Sequence, residues 1–264
     1  MPIDKHGFLG EEIEKYRQEL LGKFGERFAY YKKLNRFLNE LKFKLTPQND
    51  DAQRIAIVTL FIKALETFQA TYVLASYGLT SDAEILNRAL FETVATILYI
   101  SKGQDNFKRY LAQDLYNKLK LIRIVRENPN QHPNQRVDPN KLTEAETLHR
   151  MQLKELGNPP KMRIEAMIRE TEIAHLYDPF YRSASGAVHS TPFSLEKYIL
   201  DQRGKTTVMW GPRDDQIDTV LSTAVEFMLI ACKCLSGLFG NPKEEEIVVF
   251  NSEKESIWLK GGKE

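Results

Sequence analysis

Residues 51–78 read DAQRIAIVTLFIKALETFQATYVLASYG, and the placement of their apolar side chains decides the fold class. Ile, Leu, Val, Phe and Ala cover most of the circumference at 3.6 residues per turn, which predicts a long helix at the centre of a helical domain. Pro47 and the polar run TPQND precede it, and Gly78 ends it. The next stretch, SDAEILNRALFETVATILYIS (81–101), predicts a second central helix running antiparallel to the first. Ser81 or Asp82 is its expected cap, through a side-chain oxygen that accepts a free backbone N–H.

Working outward, Ile13, Tyr16, Leu20, Phe24, Phe28, Tyr31, Leu34, Leu38 and Leu41 recur every three or four positions. They predict one amphipathic helix from Phe8 to about Leu45. Its other face, with Glu12, Lys15, Glu19, Lys23, Arg27 and Lys33, reads as a solvated surface. Downstream, Gln104 to Arg126 predicts a fourth helix, and ENPNQHPNQRVDPN (127–140) is a loop by composition and the best candidate for a mobile segment. Helical patterns return in 141–157 and 161–177.

DPFYRSASGAVHSTP (178–192) predicts a short helix with Asp178 as N-cap and Pro179 in the first turn, finishing near Ser190. KYILDQRGKTTVMW (197–210) has two β-prone runs around Arg203-Gly204-Lys205, which suggests a small hairpin or an irregular excursion. A last helix is expected from about Arg213 to Leu238, followed by a charged tail that adds a strand or stays peripheral. The fold class is therefore all-α, a multi-helix bundle. It divides into an N-terminal amphipathic helix (1–50), a helical domain (51–240) and a C-terminal tail (241–264).

Bulk properties narrow the function. An apolar fraction of 42% and a charged fraction of 28% are those of an ordinary globular chain. The formal net charge of +1 excludes nucleic-acid binding by overall positive charge and leaves only local patches. Cys232 and Cys234 are the only cysteines; two apart on a helix, they predict neither a disulfide nor a metal site. The start carries no secretory signal pattern, and VEFMLIACKCLSGLF is interrupted by Lys233 and short for a bilayer. A cytoplasmic protein without membrane attachment is expected.

Arg182 and His189 lie seven residues apart, within about 20° of two full helical turns, so on a helix both leave the same face about 10 Å apart. An imidazole can move protons at a 2′-hydroxyl or a leaving oxygen, and a guanidinium can hold the charge that builds on phosphorus. Ser185 sits one turn before His189 and can fix its tautomer. The bland alternative is an ordinary ion pair for Arg182 and a hydrogen-bonded core or interface histidine.

Arg88 and Glu92, one turn apart on an otherwise apolar helix, predict an intrahelical pair. If buried, the pair calls for a partner such as Arg182, His189 or Ser185. On the fourth helix Lys108, Arg109, Lys118, Lys120, Arg123 and Arg126 alternate with Tyr110 and Tyr116. Lys118, Lys120, Arg123 and Arg126 are weak RNA-binding candidates, against the reading of a solvated helix face. Two Glu-x-x-His strings, Glu146 to His149 and Glu172 to His175, match the spacing of a di-iron bundle with Glu66 and Glu92 as further ligands. No Gly-rich phosphate loop, nucleophile elbow or paired Cys-x-x-Cys occurs, and no cofactor or metal is expected.

The pairing of LNRALFETVATILYI with a later YRSASGAVHSTP resembles an uncharacterised bacterial family of unknown function. Its members carry an Arg-x-x-x-Glu helix and a later Tyr-Arg-x-x-Ser-x-x-x-His helix. That family looks related to the HEPN superfamily (higher eukaryotes and prokaryotes nucleotide-binding), all-helical proteins that include dimeric RNases of toxin–antitoxin and phage-defence systems. The likeness covers roughly residues 55 to 240. It implies a HEPN-like homodimer acting on RNA, with Arg182 and His189 as catalytic residues and Tyr181, Ser185, Arg88 and Glu92 in support. It also implies a possible partner protein encoded nearby. The gap of six residues is long for that signature, and Ser183 stands where active members usually have Asn, Asp or His. The competing expectation is a non-enzymatic scaffold or sensor in which Arg88, Glu92, Arg182 and His189 form a buried polar knot.

Overall fold

The computed structural model describes residues 5–128, 138–182, 191–202, 205–240 and 242–259. It is an all-α multi-helix bundle. The helices are α1 (Glu12–Lys23), α2 (Gly25–Lys42), α3 (Ala52–Ser76), α4 (Thr80–Ile100), α5 (Gln104–Glu127), α6 (Pro139–Glu155), α7 (Ile164–Arg169), the short α8 (Pro192–Leu195), α9 (Ile217–Leu238) and α10 (Glu244–Leu259).

Helices α3, α4 and α9 pack against one another and form the centre. From α4 the buried set Leu90, Phe91, Val94, Ala95, Ile97 and Leu98 faces Phe61, Ala64 and Phe68 of α3 and Leu221, Ala224, Met228 and Ala231 of α9. Gly78 makes the α3–α4 turn possible. It sits at φ +71°, and a Cβ there would lie 2.8 Å from Pro212 Cβ and 2.9 Å from the Arg213 backbone nitrogen. The same turn is tied to the chain before α9 by Arg213 N–H donating to Gly78 O at 2.9 Å.

Several expectations are corrected. The predicted N-terminal helix is two helices, broken at Phe24 (φ −108°, ψ 30°) between Gly22 and Gly25, which resist a break least. Helix α4 starts at Thr80 after Leu79 and has no side-chain cap, so neither Ser81 nor Asp82 plays that role. Helix α3 buries only one side: Ile55, Ile62 and Val73 are exposed. The pattern in 161–177 yields only α7 and a 3-10 turn at Ala174–Leu176. Helix α9 begins at Ile217 rather than Arg213.

The tail is neither strand nor appendage; it forms α10, which packs on α9 and α2. Ile247 and Phe250 join the main core, and Tyr30 Oη donates to Phe250 O at 2.7 Å. One core thus draws on α2, the central helices and α10. The hairpin expectation holds: β1 (Ile199–Gln202) pairs antiparallel with β2 (Lys205–Val208), Ile199 opposite Val208. Helices α5 and α6 make a separate arm around a small cluster of Ala112, Leu115 and Leu153. Most of the expected loop between them (129–137) lies outside the described residues. By length and composition α3 and α9 could each span a bilayer; 61% of the most apolar window of α9 is buried within the fold, as in a core helix.

Candidate functional site

Residues Tyr177–Arg182 form a π-helical turn rather than the start of an α-helix. Such turns are rare and frequent at functional sites. Three side chains fasten this one to the core. Tyr177 stacks on Tyr181 with ring centroids 5.0 Å apart. Phe180 packs against Phe91 at 5.4 Å and Phe227 at 4.9 Å. Asp178, the expected N-cap, faces Arg169 at 3.5 Å instead.

Tyr181 is the third fastening and the centre of a polar knot. It is 6% exposed. Arg88 Nη2 donates to its hydroxyl at 2.8 Å, and that hydroxyl donates to Glu92 Oε1 at 2.8 Å. The Arg88–Glu92 contact itself is 3.3 Å, the expected i, i+4 pair. The guanidinium also lies over the Tyr181 ring, 4.6 Å from its centroid. Burial raises the Tyr181 pKa; Arg88 opposes this and Glu92 adds to it. The phenol therefore stays protonated and can donate to Glu92 while accepting from Arg88. The Arg88 side chain is 17% exposed and Glu92 37%, so water reaches the carboxylate side of the knot.

Among the described residues the partner of Arg88 and Glu92 is Tyr181; the partners expected were Arg182, His189 or Ser185. Arg182 closes the π-helical turn, and Ser185 and His189 lie outside the described residues, as does the convergence of Arg182 with His189.

Four cations of the basic face of α5 have acidic neighbours. Lys118 pairs with Asp114 at 2.6 Å and Arg126 with Glu146 at 2.7 Å; Arg123 meets Glu127 at 3.8 Å and Arg109 meets Glu170 at 3.9 Å. Tyr116 turns away to donate to Pro159 O at 2.8 Å, and Tyr110 packs against the core. Lys120 is exposed. The di-iron ligand set does not converge. Glu66 is exposed, Glu92 serves Tyr181 and Glu146 serves Arg126 and Arg150. His149 meets Gln152 and His175 meets the Glu172 carbonyl. Among the described residues no metal-ligand cluster forms.

Two cavities flank Pro179 and Phe180. One, of about 580 Å³, is lined by Leu176, Phe227, Lys254 and Trp258, whose indole N–H is buried without a partner. The other, of about 260 Å³, lies between α4 and α9 and includes Asn87. Sequence reasoning missed Asn87. The available signal was its position on the apolar stripe of Ala83, Leu90 and Val94, where a polar residue must find a partner or a use.

No match was found among curated proteins or solved structures. A family model described as "Family of unknown function (DUF5677)" matches residues 54–206, from the first turn of α3 into β2. The match includes both the Arg88–Glu92 helix and the 181–189 segment, and stops short of α9 and α10. It spans more than half of the 264 residues, and the chain belongs to this family of unknown function.

Proposed function

We propose that the chain is a HEPN-like, metal-independent endoribonuclease that works as a homodimer on single-stranded RNA. The observation that carries this reading is the fastening of Tyr181 by Arg88 and Glu92, because the anchored residue is the one immediately before Arg182. A catalytic cation and base need fixed positions, and a half-buried polar knot on a core helix supplies a fixed origin for the segment that carries them.

In the proposed reaction an imidazole at His189 takes the proton of a ribose 2′-hydroxyl. The 2′-oxygen bonds to the adjacent phosphorus as the bond to the 5′-oxygen breaks, and the imidazole of the second copy protonates that leaving oxygen. Arg182 holds the phosphate oxygens while charge accumulates. Both cysteines are free thiols, consistent with a proposed cytoplasmic location. A toxin or phage-defence effector controlled by a neighbouring protein is the biological role that follows.

The test is RNA cleavage with excess chelator by the full chain and by His189→Ala and Arg182→Ala. Each variant should lose about 10²–10⁴-fold in rate while melting like the parent. Variants that cleave at the parental rate refute the assignment.

The second reading, a scaffold whose polar knot fixes helix register, draws on the same low exposure of Tyr181 and Arg88. It predicts that Arg182→Ala and His189→Ala lower the melting temperature and that any activity falls only in proportion to folding.

A further inference from the structure

The larger of the two cavities beside the π-helical turn, of about 580 Å³, lies where the turn meets α9 and α10. Leu176, Pro179 and Phe180 form one wall, and Phe227 of α9 and Trp258 of α10 form the others. Spacing explains the convergence. On α9 Ser222 lies four residues before Glu226, and on α10 Lys254 and Glu255 lie one turn before Trp258, so each set shares a helix face. The aromatic walls are held from behind. Phe180 packs on Phe91 at 5.4 Å and on Phe227 at 4.9 Å, and Trp258 meets Tyr30 of α2 edge to face at 5.5 Å. A preformed, mostly apolar cavity of ~300–1,000 Å³ with a few polar groups is the usual form of a small-molecule site.

The polar edge sets the charge of the occupant. Lys254 is engaged by Glu226 and its side chain is 19% exposed, so it offers little to an anion. Glu255 is exposed and makes no hydrogen bond or ion pair with any described residue. Two carboxylates against one ammonium leave an excess of negative charge at this edge, and the carboxylate that solvent reaches most freely is the unpaired one. A ligand with an anionic group would meet that charge, and a wholly apolar one would leave it unused.

We propose that this cavity binds a small aromatic amine, with its ring among Phe180, Phe227 and Trp258 and its protonated amino group on the Glu255 carboxylate. Ring packs on ring at the enclosed end, and the ammonium stays at the wet edge, where it keeps part of its hydration. The proposal goes beyond the RNA-cleavage reading and does not rest on it. One wall is the π-helical turn itself, so the occupant touches the segment that leads to Arg182.

The experiment uses three probes with one ring and one chain: 4-phenylbutylamine, 4-phenylbutanol and 4-phenylbutyrate. The chain has two tryptophans, so Trp210→Phe leaves Trp258 as the only one, and its emission reports binding in the full-length protein. The amine should change that emission saturably and bind about two- to fivefold tighter than the alcohol, the worth of an exposed ion pair; the acid should bind weakest. Glu255→Gln should bring the amine to the level of the alcohol and leave the alcohol unchanged. Ser222→Leu, at a partly exposed position on the α9 wall, should abolish saturable binding of all three. Equal affinities, tighter binding of the acid, or no saturable change with any probe would overturn the proposal. So would an amine preference that persists in Glu255→Gln, or binding that persists in Ser222→Leu, since the probe would then sit elsewhere.

Discussion

Replacing Tyr181 by Phe deletes one oxygen and leaves the ring, so the cation–π contact with Arg88 at 4.6 Å survives. Two hydrogen bonds of 2.8 Å are lost, one from a guanidinium and one to a carboxylate. Bonds to charged groups contribute about 1.5–3 kcal/mol each when buried. Two features reduce the sum. Arg88 and Glu92 already touch at 3.3 Å and can close on each other, and Glu92 is 37% exposed, so water takes over the donor role of the phenol. A net loss of about 1.5–2 kcal/mol remains, equivalent to about 3–8 °C for a chain of this size. Thermal melts of Tyr181→Phe, Glu92→Gln and the double variant measure both the loss and the coupling. A Tyr181→Phe melt within about 1 °C of the parent, or a coupling below about 0.5 kcal/mol, would refute the claim that the knot holds the turn.

Gly78→Ala places a Cβ against Pro212 and the Arg213 backbone at a residue with φ +71°. The left-handed conformation alone costs about 1–2 kcal/mol; urea denaturation should show at least that loss, and a neutral result contradicts the packing described. Removing residues 244–264 strips Tyr30 of its acceptor at Phe250 and Phe37 of its ring neighbour at 4.8 Å. The melting temperature should fall by more than about 10 °C, or soluble protein should be lost, whereas a peripheral tail would leave both unchanged. Burial raises the pKa of Tyr31 and Tyr30, and pushes Tyr16 up to about 12. Unfolded tyrosines release protons near pH 10 while these keep theirs. Stability is therefore complete below about pH 10 and declines as pH rises through 12, which melts across an alkaline series will show.

The central helices were legible because their information is local: apolar spacing in 51–78 and 81–101, and Gly78 where only a left-handed residue fits. The break at Phe24 was not, because the apolar stripe of Leu20, Phe28, Tyr31 and Leu34 continues in phase across it. The last helix was misread for a similar reason. IVVF looks β-prone, yet the buried positions Ile247 and Phe250 and the partly buried Ile257 follow helical spacing. At the site, Arg88 and Glu92 were readable from their i, i+4 separation. That Tyr181 would reach them across 89 residues of chain, on a turn wound at π rather than α pitch, depends on tertiary packing that no local period records. The buried amide of Asn87 was hidden for the same reason, since its partner, the Val220 carbonyl, comes from a helix far along the chain.

The most direct test of the account is the chemistry of the RNA ends left after incubation of the purified chain with single-stranded RNA and excess chelator. Attack by the neighbouring 2′-oxygen leaves a 2′,3′-cyclic phosphate and a 5′-hydroxyl, and a single 2′-deoxy substitution at the cleaved nucleotide blocks the cut; this is the predicted result, with Tyr181→Phe slowing it. No cleavage, or cleavage that leaves 3′-hydroxyl ends or ignores the 2′-deoxy substitution, would contradict the proposed role of the segment anchored by Arg88, Tyr181 and Glu92.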